Sequence, residues 1–334
     1  MTTDETLQPE PEKQPAPAVD VRPVQSGAER VREQLAKVIV GQEEAIDMLI
    51  TALFTGGHVL LEGVPGIAKT LSAKLLAKTI AADFSRIQFT PDLMPSDVVG
   101  TSVFNVKTSA FNFKAGPVFS NIVLIDEINR APAKTQAALF EVMEERQVTV
   151  DGQTHLMGEP FFVVATQNPI EQEGTYKLPE AQLDRFLFKI QMGYPNLTDE
   201  GAILRRFKHD FDGKIREEVE SVLSPGDISD ARTRIERVFI REELLDYIAA
   251  LVHNTRQNGD LFLGASPRAS LAILKTSKAL AAIAGRDFVT PDDIRQVAYP
   301  VLNHRIILTP EREMEGYTTR EVVDDIIKKL EVPR

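Results

Sequence analysis

Cysteine is absent from this 334-residue sequence, which excludes a disulfide framework, thiolate metal sites and thiol nucleophiles. Long apolar runs are also missing, since stretches such as Ile122–Ile125 and Phe161–Ala165 are far shorter than the ~20 residues that cross a bilayer. The first residues are acidic and contain no apolar segment of the kind found in secretory signals. We therefore expect a cytoplasmic protein that is not inserted in a membrane.

An excess of positive charge is lacking as well. The chain has 38 Lys and Arg against 49 Asp and Glu, which gives a net charge of −11 and a pI of about 5.1. Proteins that bind nucleic acid usually carry a basic face or a pI above ~9. The composition therefore predicts no sequence-independent binding to DNA, RNA or anionic membranes.

The length suits two domains of ~100–200 residues each, after a terminal segment of different composition. Residues 1–25 contain five prolines among acidic and small residues, and too little apolar surface to offset the entropy of ordering. We expect a mobile tail there that is dispensable for activity, with the first helix starting near Glu29. Two domains follow, an α/β core over residues 26–194 and an all-helical domain over residues 195–334.

Short apolar strands alternate with helices in the predicted core. They are expected at His58–Glu62, Arg86–Phe89, Asn121–Asp126, Phe161–Thr166 and Arg185–Gln191. Helical crossovers between such strands give a parallel sheet, so the predicted fold class is α/β with a five-stranded parallel sheet flanked by helices. An Asp-Gly turn at residues 151–152 also predicts a hairpin over residues 147–156.

Helical periodicity dominates the rest of the chain. The predicted helices of the second domain are Glu200–Phe207, Asp227–Val238, Glu242–Arg256, Pro267–Ala284, Pro291–Arg305 and Arg320–Leu330.

A glycine-containing loop between the first strand and the next helix has the pattern of a phosphate-binding P-loop. Its members are Gly63, Val64, Pro65, Gly66, Ile67, Ala68, Lys69, Thr70 and Leu71. Successive backbone N–H groups and the helix N-terminus attract anions, Lys69 can reach the β- and γ-phosphates, and the Thr70 hydroxyl can bind Mg²⁺. Ala68 replaces the usual glycine, which is acceptable if the residue is in the right-handed region.

Polar residues follow two later strands. Asp126 and Glu127 end the third strand, where Asp126 can hold Mg²⁺ and Glu127 can activate the attacking water. Asn168, at the end of the fourth strand, can hydrogen-bond that water and sense the γ-phosphate. The alternatives are that the two acids begin a solvated loop and that Asn168 begins a turn before proline.

These motifs, in this order, resemble the MoxR family of AAA+ ATPases across about residues 30–305. The runs that carry the resemblance are Val40-Gly41-Gln42, the P-loop, Leu124–Pro132, Asn168, Leu178–Phe186 and Gly264–Ser270. The resemblance implies an AAA+ P-loop core followed by a helical lid domain, with ATP and Mg²⁺ as ligands. It also implies that Val40 and Gly41 contribute to the nucleotide site.

The resemblance further implies that the chain forms a ring, usually a hexamer, with ATP at the subunit boundaries. Arg185 would be the finger that reaches a neighbour's γ-phosphate, with Arg130 as the alternative, and Arg268 would contact phosphate in its own subunit. Residues Val103–Pro117 match the family's insert, whose aromatic side chains form either loop core or a substrate-facing edge.

The resemblance favours a ring-forming ATPase that matures or activates a client protein, which could contain a von Willebrand factor A domain. One alternative is a nucleic-acid motor, although the acidic pI and a hairpin at Val148–Leu156 without Lys or Arg argue against it. The other is a scaffold that binds ATP without turnover, and the presence of Glu127 argues against that.

Overall fold

The computed structural model of the chain describes residues 19–107, 109–169 and 174–333. The helices of these residues are α1 (Arg22–Ala36), α2 (Glu43–Thr55), α3 (Lys69–Lys78), α4 (Pro95–Val99), α5 (Ala133–Glu145), α6 (Glu180–Leu183), α7 (Leu197–Phe207), α8 (Pro225–Glu236), α9 (Glu242–Gln257), α10 (Pro267–Ile283), α11 (Pro291–Leu302), α12 (Pro310–Met314) and α13 (Thr319–Lys329). None of the described helices is long and apolar enough to cross a membrane.

The strands alternate with these helices in the first part of the chain. They are β1 (Val59–Glu62), β2 (Phe84–Gln88), β3 (Gly100–Asn105), β4 (Ala110–Ala115), β5 (Ile122–Asp126), β6 (Gln147–Val150), β7 (Gln153–Leu156), β8 (Phe162–Gln167), β9 (Phe188–Gln191), β10 (Leu261–Leu263) and β11 (Ile307–Leu308). Five of them form a parallel sheet in the order β2-β5-β8-β1-β9, which confirms the predicted fold class.

Alternating side chains of the central strands enter two separate apolar cores, one on each face of the sheet. Ile122 and Leu124 of β5 join the core that α1, α2 and α3 cover and that continues among helices α8 to α11. Val123 and Ile125 join the smaller core under α5. Because both faces are covered, all five residues of β5 are buried, as its uninterrupted apolar sequence predicts.

The folded part of the chain begins earlier than its composition predicts. Helix α1 starts at Arg22, not near Glu29, because Pro23 suits the first helical turn and Val21 and Val24 are buried against the core. Residues 19–25 therefore belong to the folded part of the chain. The other residues of the expected tail, 1–18, lie outside the described residues.

Two antiparallel hairpins project from the core. The predicted hairpin is formed by β6 and β7, and a second, β3–β4, occupies the Val103–Pro117 region. On β3–β4, Phe104 and Phe111 are largely exposed and pack on each other with ring centroids 5.2 Å apart. Phe113 of the same hairpin stacks on His155 of β7 at 4.2 Å, so the hairpins touch through aromatic rings.

Candidate functional site

The carboxyl ends of β1, β5 and β8 meet at one edge of the sheet and enclose a pocket of about 420 Å³. Ligands of open α/β sheets bind at this edge. The pocket is lined by Pro65, Gly66, Ala68, Lys69, Thr70, Leu71, Arg86, Gln88, Asp126, Glu127, Thr166, Gln167 and Asn168. The fold thus brings the predicted loop together with Asp126, Glu127 and Asn168.

The loop after β1 curves tightly and ends in the N-terminus of α3. A Cβ on Gly63 would lie 2.5 Å from the carbonyl oxygen of Met192, so only glycine allows this close approach. The Lys69 Nζ donates to the carbonyl oxygens of Gly63 and Val64, the latter at 2.7 Å, and so lies inside the curve. A cation, loop amides and a helix N-terminus in one concavity can bind phosphate groups.

Ala68 has a left-handed backbone, with a φ of +69° and a ψ of +18°. The right-handed conformation that would make alanine acceptable in place of glycine is therefore not the one found. A Cβ in this region costs about 1 kcal/mol. The loop therefore keeps the backbone shape that glycine would adopt and tolerates the strain.

Asp126 and Thr70 provide adjacent oxygen atoms suited to a magnesium ion. The Asp126 Oδ1 accepts hydrogen bonds from the Oγ1 atoms of Thr70, at 2.8 Å, and Thr166, at 3.1 Å. The Asp126 side chain is nearly buried, and its Oδ2 accepts from the Nε of Arg86 at 2.6 Å. Carboxylate and hydroxyl oxygens are hard donors of the kind Mg²⁺ prefers, particularly where phosphate oxygens complete its shell.

Glu127 begins a tight turn after β5, with a φ of +57°, and its side chain is partly exposed to the pocket. Its Oε2 accepts from the Nε2 of Gln88 at 2.9 Å and pairs with the Nε of Arg130 at 2.9 Å. Arg130 thus contacts the acid of its own chain. Asn168, which is 8 % exposed, lies on the same pocket after β8. A carboxylate and an amide that follow neighbouring strands beside a phosphate loop can orient and deprotonate a water molecule.

Four polar residues that line this pocket were not predicted from the sequence, namely Arg86, Gln88, Thr166 and Gln167. Thr166 donates to Asp126 and accepts from the backbone N–H of Glu127 at 3.0 Å, so it fixes both acids. Arg86 and Gln88 alternate on the edge strand β2 and point to the same pocket. Their i, i+2 spacing on a strand is the one signal that could have indicated a shared face.

An apolar pocket of about 230 Å³ adjoins the loop and shares Gly66, Ala68 and Leu71 with the first pocket. Its lining is mostly aliphatic, and it includes the predicted Val40 but not Gly41, which lies next to it in the chain. The remaining lining residues are Val38, Ile39, Gln42, Ile67, Pro195, Ile203, Phe207 and Arg216. A ligand with a flat base joined to a phosphate chain would fit here, with the base in the apolar pocket and the phosphates in the first pocket.

Arg185 and Arg268 are not part of either pocket. They line a separate recess together with Gly57 and His58, which precede β1, so they lie at the amino edge of the sheet. The phosphate loop follows the carboxyl end of β1, a strand length of ~13 Å away at ~3.3 Å per residue. In this arrangement α10 packs at the amino edge of the sheet, so Arg268 lies apart from the phosphate pocket of its own chain, and the contact of Arg268 with phosphate in its own subunit stays a prediction.

Buried hydrogen bonds from Arg305 position the recess that contains Arg185 and Arg268. The Arg305 Nε donates to Asp184 Oδ1 at 2.7 Å, and its Nη2 donates to the carbonyl oxygen of Phe186, so the residues after α11 are bonded to the segment that carries Arg185. His58 is buried, and burial lowers its pKa to about 4. Its Nδ1 accepts from the Val163 N–H at 3.0 Å, which requires the neutral ring.

Comparison with known protein families agrees with this arrangement. Residues 58–188 match the model of the ATPase family associated with various cellular activities (AAA), and residues 253–326 match the AAA lid domain. The first match covers strands β1, β2, β5 and β8 of the sheet, with the phosphate loop and both acids. The second covers helices of the all-helical region, including α10 and α11.

Individual relatives are similar over most of their length. The chain is 47 % identical to protein YeaC of Bacillus subtilis, with 90 % of this chain and 93 % of that protein aligned. It is 42 % identical to the chaperone MoxR1 of Mycobacterium tuberculosis, with 92 % and 82 % aligned. The crystal structure of a candidate ATPase from Cytophaga hutchinsonii superposes with a TM-score of 0.86 at 44 % identity, covering 94 % of this chain and 97 % of that one.

Proposed function

The chain belongs to the MoxR family of AAA+ ATPases, and on this basis we propose that it hydrolyses ATP in a ring of identical subunits to remodel a client protein. The observation that carries the proposal is the convergence of Lys69, Thr70, Asp126, Glu127 and Asn168 on one pocket beside an apolar base site. These side chains come from separate segments of the chain, so their meeting at one pocket is a property of the fold.

The proposed chemistry divides among these residues. Lys69 and the loop amides hold the β- and γ-phosphates, and Thr70 and Asp126 hold the Mg²⁺ ion, which neutralises charge on the phosphates when bound. Glu127 takes the proton of the attacking water, and Asn168 holds that water in position. Val40 and the aliphatic side chains beside it receive the adenine base.

Arg185 and Arg268 act on the nucleotide of a neighbouring subunit in this proposal. Both lie at the sheet edge opposite their own phosphate loop, so a second chain must bring its loop to them. An arginine delivered to the γ-phosphate stabilises the charge of the transition state and raises rates ~10³–10⁵-fold in GTPases. Arg130 is the less favoured finger, because its partner Glu127 lines the phosphate pocket of the same chain, whereas Arg185 lies at the other edge of the sheet.

The client is proposed to be a partner protein or complex, including one that carries a von Willebrand factor A domain. The chaperone name of the MoxR1 relative supports a protein client. The β3–β4 hairpin also presents exposed apolar side chains, Val103, Phe104, Val106 and Phe111, which could contact a client as the substrate-facing edge.

A pair of matched variants tests the proposal. Glu127→Gln should bind ATP with the affinity of the parent and lose turnover by ~10²–10⁴, the usual effect of a positioned base. It should then retain clients in pull-downs from cell extract with ATP present. Lys69→Ala should show no ATP binding in calorimetry and should therefore retain no clients in the same pull-down. Proteins that both variants capture are background. Unchanged turnover in Glu127→Gln, or micromolar ATP binding by Lys69→Ala, would contradict the proposed site.

A further inference from the structure

Asp126 already has a cationic partner within its own chain. The Arg86 Nε lies 2.6 Å from the Oδ2 of Asp126, while the Oδ1 of the same carboxylate accepts from Thr70 and Thr166. Asp126 is only 3 % exposed, so this carboxylate is nearly removed from water. The negative charge of a buried carboxylate needs such compensation, and a guanidinium provides it with both charge and hydrogen bonds.

Arg86 is placed so that it can leave Asp126 without disturbing the fold. Its side chain is 45 % exposed and stands on β2, which lies at the edge of the sheet. Its Nη2 also donates to the Gln88 Oε1 at 3.2 Å, and Gln88 in turn donates to Glu127. The arginine is thus held by polar contacts facing the pocket rather than by packing in a core.

We propose that Arg86 is a built-in counter-ion that competes with Mg²⁺ for Asp126 and so makes metal binding depend on the nucleotide. The inference rests on the proposed function, because it takes Asp126 to be the acid that serves the metal. The positive charge of Arg86, 2.6 Å from the Oδ2 of Asp126, repels a divalent cation and occupies one acceptor atom of the carboxylate. Phosphate oxygens add negative charge and ligands, and these allow Mg²⁺ to replace the guanidinium at Asp126.

Metal titration of the nucleotide-free, full-length protein tests this competition. Mn²⁺, detected by electron paramagnetic resonance, serves as the probe, and Mg²⁺ alone is titrated by calorimetry. Arg86→Gln should bind either ion at least tenfold more tightly than the parent, since one charge near the site is removed. Arg86→Lys, which keeps the charge, is the matched control and should stay near the parent value. Adding Asp126→Asn to Arg86→Gln should abolish the gain.

Metal affinity that is unchanged or weaker in Arg86→Gln would overturn the proposal, and so would a gain that survives Asp126→Asn. Thermal melting provides a second measurement on the same samples. Addition of Mg²⁺ should raise the Tm of Arg86→Gln more than that of the parent, because at a given concentration an ion that binds the native state more tightly stabilises it more. No nucleotide is present in these titrations, so their outcome is separate from whether the pocket hydrolyses ATP.

Discussion

Arg185 of the α/β core and Arg268 of helix α10 bind the two oxygens of one carboxylate. The Arg185 Nη1 lies 3.3 Å from Glu144 Oε2, and the Arg268 Nη2 lies 2.9 Å from Glu144 Oε1. Two guanidinium groups from different parts of the chain are thereby held side by side by a single acid. A phosphate chain that approached this recess would meet both arginines at once, with Glu144 as the group it displaces.

This pairing predicts how inactive variants complement one another. Lys69→Ala mixed with Arg185→Ala should regain part of the ATPase activity, because one type of interface then combines an intact phosphate loop with an intact finger. The same should hold for Lys69→Ala mixed with Arg268→Ala. Steady-state hydrolysis of the mixtures is the measurement, and the specific activity of the parent should rise with protein concentration.

Mixing Arg185→Ala with Arg268→Ala distinguishes the two possible positions of Arg268. If both arginines serve the neighbouring subunit, every interface lacks one of them and activity stays low. Recovery in this mixture would instead mean that Arg268 serves its own subunit. Full activity of Arg185→Ala alone, independent of concentration, would transfer the finger role to Arg130 or remove the need for a ring.

Stability should fall as the pH decreases from 7.5 to 5, in part because of His58. Its pKa is about 4 in the folded chain against 6.5 ordinarily, so the unfolded state takes up the proton first. The neutral ring therefore contributes fully above pH 6.5, and the contribution declines as the pH falls towards 4. Between pH 7.5 and 5 this amounts to about 2 kcal/mol.

Urea unfolding of the parent and of His58→Gln at the two pH values measures this contribution. The variant lacks the titrating ring, so its free energy of unfolding should fall by about 2 kcal/mol less over the same interval. His304, also buried with a lowered pKa, stays in both proteins and cancels in the comparison. An identical pH dependence of the two proteins would contradict the assignment to His58.

Gly41→Ala should weaken ATP binding by about tenfold in calorimetry, a change equivalent to ~1.4 kcal/mol. The φ of Gly41 is +71°, and an added Cβ would lie 2.7 Å from the Oδ2 of Asp199 on α7, next to the apolar base pocket. Asp199→Ala removes the steric contact with the added Cβ and leaves the strain of a positive φ at alanine. The double variant should therefore recover part of the affinity, whereas parental affinity in Gly41→Ala alone would show that this corner of the chain adapts freely.

Removal of residues 1–18 should leave kcat within twofold of the parent, since none of the candidate site residues lies there. Removal of residues 1–25 should be different, because Val21 and Val24 are 5 % and 1 % exposed. Each buried valine contributes about 1.5–3 kcal/mol, so the longer truncation should lose several kcal/mol of unfolding free energy. Thermal melting and ATPase rates of both truncated proteins are the measurements. Equal stability of the two would mean that the dispensable tail extends to residue 25.

Local patterns were sufficient for the sheet and for most of the phosphate pocket. The loop at Gly63–Thr70 and the acids at the end of β5 are each contained in a short run whose strand-to-helix context is visible in the sequence. Parallel pairing then brings the strand ends together without further information.

The features that were not predicted depend on pairing between distant segments. Gln88 reaches Glu127 because β2 pairs with β5 in a register that sets Gln88 opposite Asp126, and no local pattern reveals that register. The position of Arg268 likewise follows from where α10 packs on the core. The conformation of Ala68 is a third case, since a turn can impose positive φ on alanine against its intrinsic preference.

The exposed β3–β4 hairpin has a spectroscopic consequence. The chain contains no tryptophan, and Phe111 is 70 % exposed at the hairpin surface. Phe111→Trp would therefore introduce the chain's single indole at a water-facing position, and its fluorescence would arise from that hairpin alone. Any polypeptide that covered the hairpin during turnover would shift this emission to shorter wavelength, so the light itself would report when the surface is occupied and when it is released.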